Sequence, residues 1–321
     1  MNASAPVMSV VRDAPLSTWF RIGGRAERLA RPSTVAEVAR CVRADPRCRV
    51  VGEGANLLVD DDGIDGLCLQ LTSGELGRFE IDKREARVLA GAGASLPRLI
   101  SACVRAGLAG PERLAGIPSS IGGAAAMNAG GAFGAFADLV RAVHVVTRDG
   151  HARVLDRADI AFDYRHGVPG DAIVTLVDLQ LEPEDPEVIR ARRDEIMAYK
   201  SRTQPMSERS AGCAFRNPTL SADLDSPDGP IGARGERVSA GMLIDRAGCK
   251  GLTFGGAGVS EQHANFITTS EGATARDVIG LMDLVRERVF DRFGVRLQRE
   301  VVVWSRHAEH LDEDASIGDV A

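Results

Sequence analysis

Residues 114–137 carry no charge, and within them 116–130 carry very little side-chain volume. No other stretch limits the possible folds of this chain so strongly. A membrane span needs about 20 predominantly apolar residues. Here Pro118, Ser119, Ser120, Asn128 and repeated glycines break both the apolarity and the helix propensity, so a span is rejected. Two uses of such a segment remain. It can pack a helix tightly against a sheet, or it can lay its backbone against a flat ligand, with Ser119, Ser120 and Asn128 as polar contacts. A second glycine segment, Gly52-Glu53-Gly54-Ala55-Asn56-Leu57, follows a predicted strand. Such a turn can gather backbone N–H groups into a concavity suited to a pyrophosphate. It lacks the six-residue dinucleotide fingerprint, because Leu57 stands where the third glycine belongs, and it has no Walker lysine. A purely structural turn stays open beside the phosphate reading.

Composition narrows the class. Apolar residues at 44% and charged residues at 26% match a folded soluble protein rather than a disordered one. The 39 basic and 45 acidic residues leave a net charge of −6, which argues against sequence-independent binding of nucleic acid. Aromatic residues at 4% argue against base-stacking platforms. None of the six cysteines forms a C-x-x-C pair or has zinc-site spacing with histidine, so no metal site is expected. Reduced core thiols in the cytoplasm are the expectation, with no leader peptide at the start and no membrane partner.

Short strands mixed with a few helices point to an α+β fold. Residues 1–15 read as a loose lead-in, 16–184 as one unit and 187–304 as a second, with a polar tail over 305–321. The boundary is set at the charged, proline-broken stretch 182–186. Helices are predicted from Val35, from about 95 to 106, from 187 to 202, over 240–247, and over 274–293. In the last of these Val278, Leu281, Met282, Val285, Val289 and Phe293 form one stripe. Residues 221–237 read as a loop and 295–304 as a closing strand.

Three further segments can carry chemistry. Arg165, in Phe162-Asp163-Tyr164-Arg165-His166-Gly167, can clamp a carboxylate or phosphate, or be a surface arginine. Cys213, between Gly212 and Ala214, is either a reactive thiol or an inert buried one. Glu300 lies in an apolar strand; it either alternates outward or, facing inward, needs a partner or a raised pKa.

Taken in order, these segments resemble the UDP-N-acetylenolpyruvoylglucosamine reductase family. The resemblance begins at Thr18-Trp19-Phe20-Arg21-Ile22-Gly23-Gly24 and runs through both glycine segments and Phe162-Asp163-Tyr164-Arg165. It continues with Lys200-Ser201-Arg202-Thr203-Gln204-Pro205, Gly212-Cys213-Ala214-Phe215-Arg216-Asn217-Pro218 and Ala240-Gly241-Met242-Leu243-Ile244-Asp245. Val259-Ser260-Glu261-Gln262-His263-Ala264-Asn265-Phe266 and Leu297-Gln298-Arg299-Glu300-Val301 close the series.

The resemblance implies a two-lobed FAD-binding unit of the vanillyl-alcohol-oxidase (PCMH) type, followed by a C-terminal α+β substrate domain whose final strand returns to the first. It implies non-covalent FAD held by Gly52, Glu53, Gly54, Ala55, Asn56, Leu57, Ile117, Ser119, Ser120, Gly122, Gly123 and Asn128, with NADPH as co-substrate. It implies a monomeric enzyme of peptidoglycan synthesis whose substrate, UDP-N-acetylenolpyruvoylglucosamine, is held by Arg165, Lys200, Gln204 and Asn217. Arg165, Cys213 and Glu300 would be catalytic. The family usually carries serine where this chain has Cys213, so the implied proton donor is a thiol. A flavin-dependent sugar or alcohol oxidase on the same scaffold is the alternative, and a non-catalytic nucleotide-sugar binder is a third reading.

Overall fold

A computed structural model describes residues 9–227 and 229–306. The first lobe is a four-stranded sheet in the spatial order Val10–Pro15, Arg25–Ala30, Ile64–Gln70, Arg49–Val51. The outer pair is antiparallel and the other two pairings are parallel. The Val35–Ala44 helix buries Val38, Ala39, Cys41 and Val42, and Thr34 caps it by accepting the Glu37 N–H.

The second lobe is a five-stranded antiparallel sheet, ordered Ala152–Asp156, Val140–Thr147, Ala172–Gln180, Arg87–Gly91, Phe79–Asp82. The Leu96–Ala106 helix presents Leu96, Leu99, Ile100, Cys103 and Val104 to the core and stops at Gly107 in the left-handed region. The glycine-rich Ile121–Ala126 helix packs on Ala172–Gln180 and comes close to Ala92 at Gly122.

The C-terminal unit packs the Ala240–Arg246 and Ala275–Phe293 helices beside a three-stranded sheet, Thr253–Phe254, Ala257–Val259, Ile267–Thr269. The predicted stripe on Ala275–Phe293 is buried from Val278 to Phe293. Thr274 and Asp277 close a capping box at its start, and Gly294 ends it at φ 68°. The chain then returns to the first lobe, where Val302–Trp304 pairs in parallel with Leu57–Val59. That single pairing carries the C-terminal motif to the glycine turn.

The structure corrects four readings. Val10–Pro15 is an edge strand, not lead-in; its mostly exposed side chains left no alternation to see. The 182–186 stretch is not a free linker. Glu182–Pro183 pairs with Leu108–Ala109, and Ile189 of the Pro186–Thr203 helix enters the first unit's core. Arg192 of that helix pairs with the buried Glu112 at 2.6 Å and with Glu184 at 2.9 Å. Residues 221–237 contain a short hairpin, Leu224–Ser226 with Gly229–Gly232. Of the expected closing strand only Val302–Trp304 is regular. Upstream the chain threads past Phe215, bridging at Arg299. The expected tail from His307 lies outside the described residues.

Candidate active site

The two glycine segments meet. A Cβ on Gly52 would sit 2.5 Å from the Ser120 Oγ, and one on Gly54, at φ +66°, would sit 2.3 Å from the Ser17 carbonyl oxygen. Only glycine permits this approach. Gly122 lies against Ala92, whose Cβ would be 2.8 Å from an added one, and Gly123 lies against Ser119. Ser120 accepts the Gly123 N–H, and Ser119 bonds its own neighbour's carbonyl. Ile117 is packed against the first core. A run of backbone bonds joins this segment to 92–96: Gly122 N to Ala92 O, Ile121 N to Ala94 O, and Leu96 N to Ser119 O.

The sequence reading gave no role to that partner stretch, which is built of the same small residues. Asn128, at φ 42°, spends its amide on the backbone, donating to the Asp163 carbonyl and accepting the Ala137 N–H. It ties the glycine segment to the loop that carries Tyr164 and Arg165. A cleft of about 1050 Å³ opens between the lobes beside Glu53, with Thr72, Gly93, Ser95 and Arg98 in its wall.

Arg165, Cys213 and Glu300 come together from three distant parts of the chain. Arg165 Nε donates to Glu300 Oε1, and its Nη1 donates to the Gly130 carbonyl at 3.2 Å. Its φ of 54° is costly for a bulky residue. Glu300 is fixed through its backbone: its N–H donates to the Ala214 carbonyl at 2.8 Å, and its carbonyl accepts from Asn56 Nδ2 at 3.0 Å. The Glu300 side chain faces inward, and its second oxygen is buried with no partner among the described residues. Burial pushes the Glu300 carboxyl above its ordinary range, and Arg165 and then Arg216 pull against that shift.

Cys213 follows Gly212, which sits at φ +80° facing open space. Burial pushes the thiol up to about 12, with Glu300 adding to the rise and Arg165 and Lys200 opposing it. The sulfur therefore keeps its proton across the neutral range. Lys200 is half-buried, and burial lowers its ammonium to about 8. Its stem runs against Gly116, where an added Cβ would lie 2.8 Å from Lys200 Cδ. Gln204 closes the same helix with its backbone N–H on the Lys200 carbonyl.

Asn217 accepts the Ala240 N–H at 2.9 Å through its side chain and donates its own N–H to the Tyr164 hydroxyl at 3.2 Å. Sequence reasoning gave Asn265 no role. Buried, it accepts the Phe215 N–H and donates to the Phe215 carbonyl, clamping the strip that bears Cys213. It lies within the 259–266 segment, where nothing local distinguishes a clamp from a surface amide.

A flavin fits these residues. The close approaches at Gly52 and Gly54 leave the turn as bare backbone, Gly131 and Gly212 both face open space, and an inward carboxyl oxygen waits for a partner. The two-lobed fold and its FAD-binding match define a flavoprotein. Residues 26–156 match a family model described as an FAD-binding domain. Residues 204–304 match the UDP-N-acetylenolpyruvoylglucosamine reductase C-terminal domain.

Curated relatives named UDP-N-acetylenolpyruvoylglucosamine reductase agree over nearly the full length. That of Desulfosudis oleivorans is 39% identical over 91% of this chain and 93% of its own. That of Heliobacterium modesticaldum is 41% identical over 91% and 90%. The crystal structure of the Thermus caldophilus reductase superposes with a TM-score of 0.76 at 36% identity, covering 93% of this chain and 99% of that one. The chain belongs to the UDP-N-acetylenolpyruvoylglucosamine reductase family.

Proposed function

We propose that this protein reduces the enolpyruvyl ether of UDP-N-acetylenolpyruvoylglucosamine to give UDP-N-acetylmuramate for peptidoglycan, working in the cytoplasm with NADPH as reductant. The observation that carries the reading is the convergence of Arg165, Cys213 and Glu300, with Gly212 beside them facing open space. The 52–57 turn and the 117–128 segment would hold FAD, which when reduced would supply a hydride for the terminal methylene of the substrate.

The chain's own residues do the rest. Arg165 binds the substrate carboxylate and, held by Glu300 and Gly130, offers a preorganised charge to the enolate that develops there. Glu300, its carboxyl raised by burial, presents a shared proton rather than a bare charge that would repel the enolate. Cys213 gives its proton from sulfur to the ether-bearing carbon. A thiol pushed to about 12 is a weaker acid than a free thiol, but it arrives loaded and remains far more acidic than the carbon it protonates. Lys200, Gln204 and Asn217 hold the nucleotide diphosphate, where a cation and fixed amides suit a dianion.

Cys213→Ala tests the proton donor. Turnover should fall by roughly 10²- to 10⁴-fold, the usual worth of a general acid, while NADPH still reduces the flavin. Cys213→Ser should keep substantial activity. Normal turnover in Cys213→Ala would remove the thiol from the mechanism.

A further inference from the structure

Arg237 stands at the neck of the 218–238 excursion. That excursion closes on itself through Val238 N to Pro218 O, Leu220 N to Glu236 O, and a bridge between Thr219 and Arg237. Its two ends are therefore pinned beside Asn217 and Ala240, and Asn217 bonds Ala240 directly. The exposed Arg237 guanidinium is not released to solvent there. Its Cζ lies 4.4 Å from the centroid of the Tyr164 ring, and Arg165 lies over the same ring at 4.9 Å. Arg165 has a carboxylate partner in Glu300, whereas Arg237 has none among the described residues. Glu236, next to it, spends a carboxylate oxygen on the Ala233 N–H instead. The exposed Arg237 guanidinium, with no carboxylate partner among the described residues, keeps its charge available to an anion. The aromatic face holds the second cation in position without neutralising it.

We infer that Arg237 is a further substrate-binding residue that takes the diphosphate of the nucleotide sugar. The inference rests on the proposed substrate and adds a residue to it. The charges then match. The carboxylate meets Arg165, and the diphosphate meets Lys200 from the helix side and Arg237 from the excursion, with the Asn217 amide between the excursion's two ends. Tyr164 is the common base. Its hydroxyl accepts the Asn217 N–H, and its ring carries both guanidinium groups. The excursion thus reaches the reaction centre through one side chain.

The test uses the flavin-loaded enzyme and the variants Arg237→Gln and Arg237→Lys. KM for UDP-N-acetylenolpyruvoylglucosamine and competitive inhibition by UDP and by uridine are measured for each. Arg237→Gln should raise KM and weaken UDP inhibition by roughly ten- to a hundred-fold, the worth of a lost charged hydrogen bond, with kcat falling far less. Uridine, which has no phosphate, should inhibit as before, and Arg237→Lys should recover part of the loss. Unchanged KM and UDP inhibition would overturn the assignment. Equal losses for UDP and uridine would overturn it too, by revealing a support for Tyr164 rather than a diphosphate ligand. Failure of the unaltered enzyme to turn over the enolpyruvyl nucleotide would instead strike the substrate reading beneath it.

Discussion

Raising the pH through the titration of Lys200 should weaken substrate capture while Cys213 and Tyr164 still hold their protons. Burial lowers the Lys200 ammonium to about 8, because the half-buried site penalises charge and only Cys213 acts to raise it. The sign follows directly: the cation is present below that value and lost above it. The Glu300 carboxyl is also raised by burial, and an alkaline limb owed to it would survive in Lys200→Arg. Cys213 is pushed to about 12, the Tyr164 phenol is raised by burial, and the His263 imidazole is lowered by burial. If the diphosphate needs the ammonium, kcat/KM, which reports groups of the free enzyme, should fall about ten-fold for each pH unit above about 8.

The assay is steady-state turnover of the enolpyruvyl nucleotide at saturating NADPH, from mildly acid to strongly alkaline buffer. Inhibition by UDP is followed in parallel. Lys200→Arg, whose charge persists beyond this range, should flatten the alkaline limb. Lys200→Met should give a profile that is low throughout and also flat. A native profile level through about two pH units above the Lys200 value, or an alkaline limb that survives in Lys200→Arg, would refute the reasoning.

Two predictions concern the frame that holds the site. Arg192→Met strands the fully buried Glu112 side chain, whose other oxygen accepts the Gly110 N–H. Breaking a buried pair costs about 3–5 kcal/mol, and because Arg192 is one-third exposed the expected loss is about 2–3 kcal/mol. A urea midpoint that does not move would show the helix is anchored otherwise. Asn265→Ala leaves the buried Phe215 N–H and carbonyl without partners. It should cost about 2–4 kcal/mol and lower kcat more than it raises KM, since the Cys213 strip loses its clamp. A variant with wild-type kcat and stability would remove Asn265 from that role.

Much of the frame was legible because local signals agreed. The Ala275–Phe293 helix has a capping box, a stripe and a terminal glycine, and each is used as its chemistry dictates. The Val140–Thr147 and Ala172–Gln180 strands announce themselves as apolar runs because both are central in their sheet. Val10–Pro15 was missed for the opposite reason: an edge strand with exposed side chains has no pattern to read. The 182–186 stretch looked like a linker, since charge and proline mark loops, yet Ile189 a few residues on decides where the helix docks.

At the site, Arg165, Cys213 and Glu300 were visible as residue types in unusual settings. Their meeting depends on Val302–Trp304 pairing with Leu57–Val59, a contact between opposite ends of the sequence. The glycine segments were read as space for a ligand. Part of that space is taken by the protein itself, with Ala92 against Gly122 and Ser120 against Gly52. Asn265 and Arg237 had no legible signal, because a clamp and a cation held over a ring exist only after the tertiary fold has formed.

The central claim is that this protein is a flavin-dependent reductase acting on an enolpyruvyl nucleotide sugar. Anaerobic absorbance spectra of the purified protein test it most directly. The protein should be yellow, its visible flavin band should bleach with one equivalent of NADPH, and the band should return when UDP-N-acetylenolpyruvoylglucosamine is added in the absence of oxygen. A colourless protein, or a reduced flavin that the nucleotide sugar leaves bleached and only oxygen restores, would contradict the account.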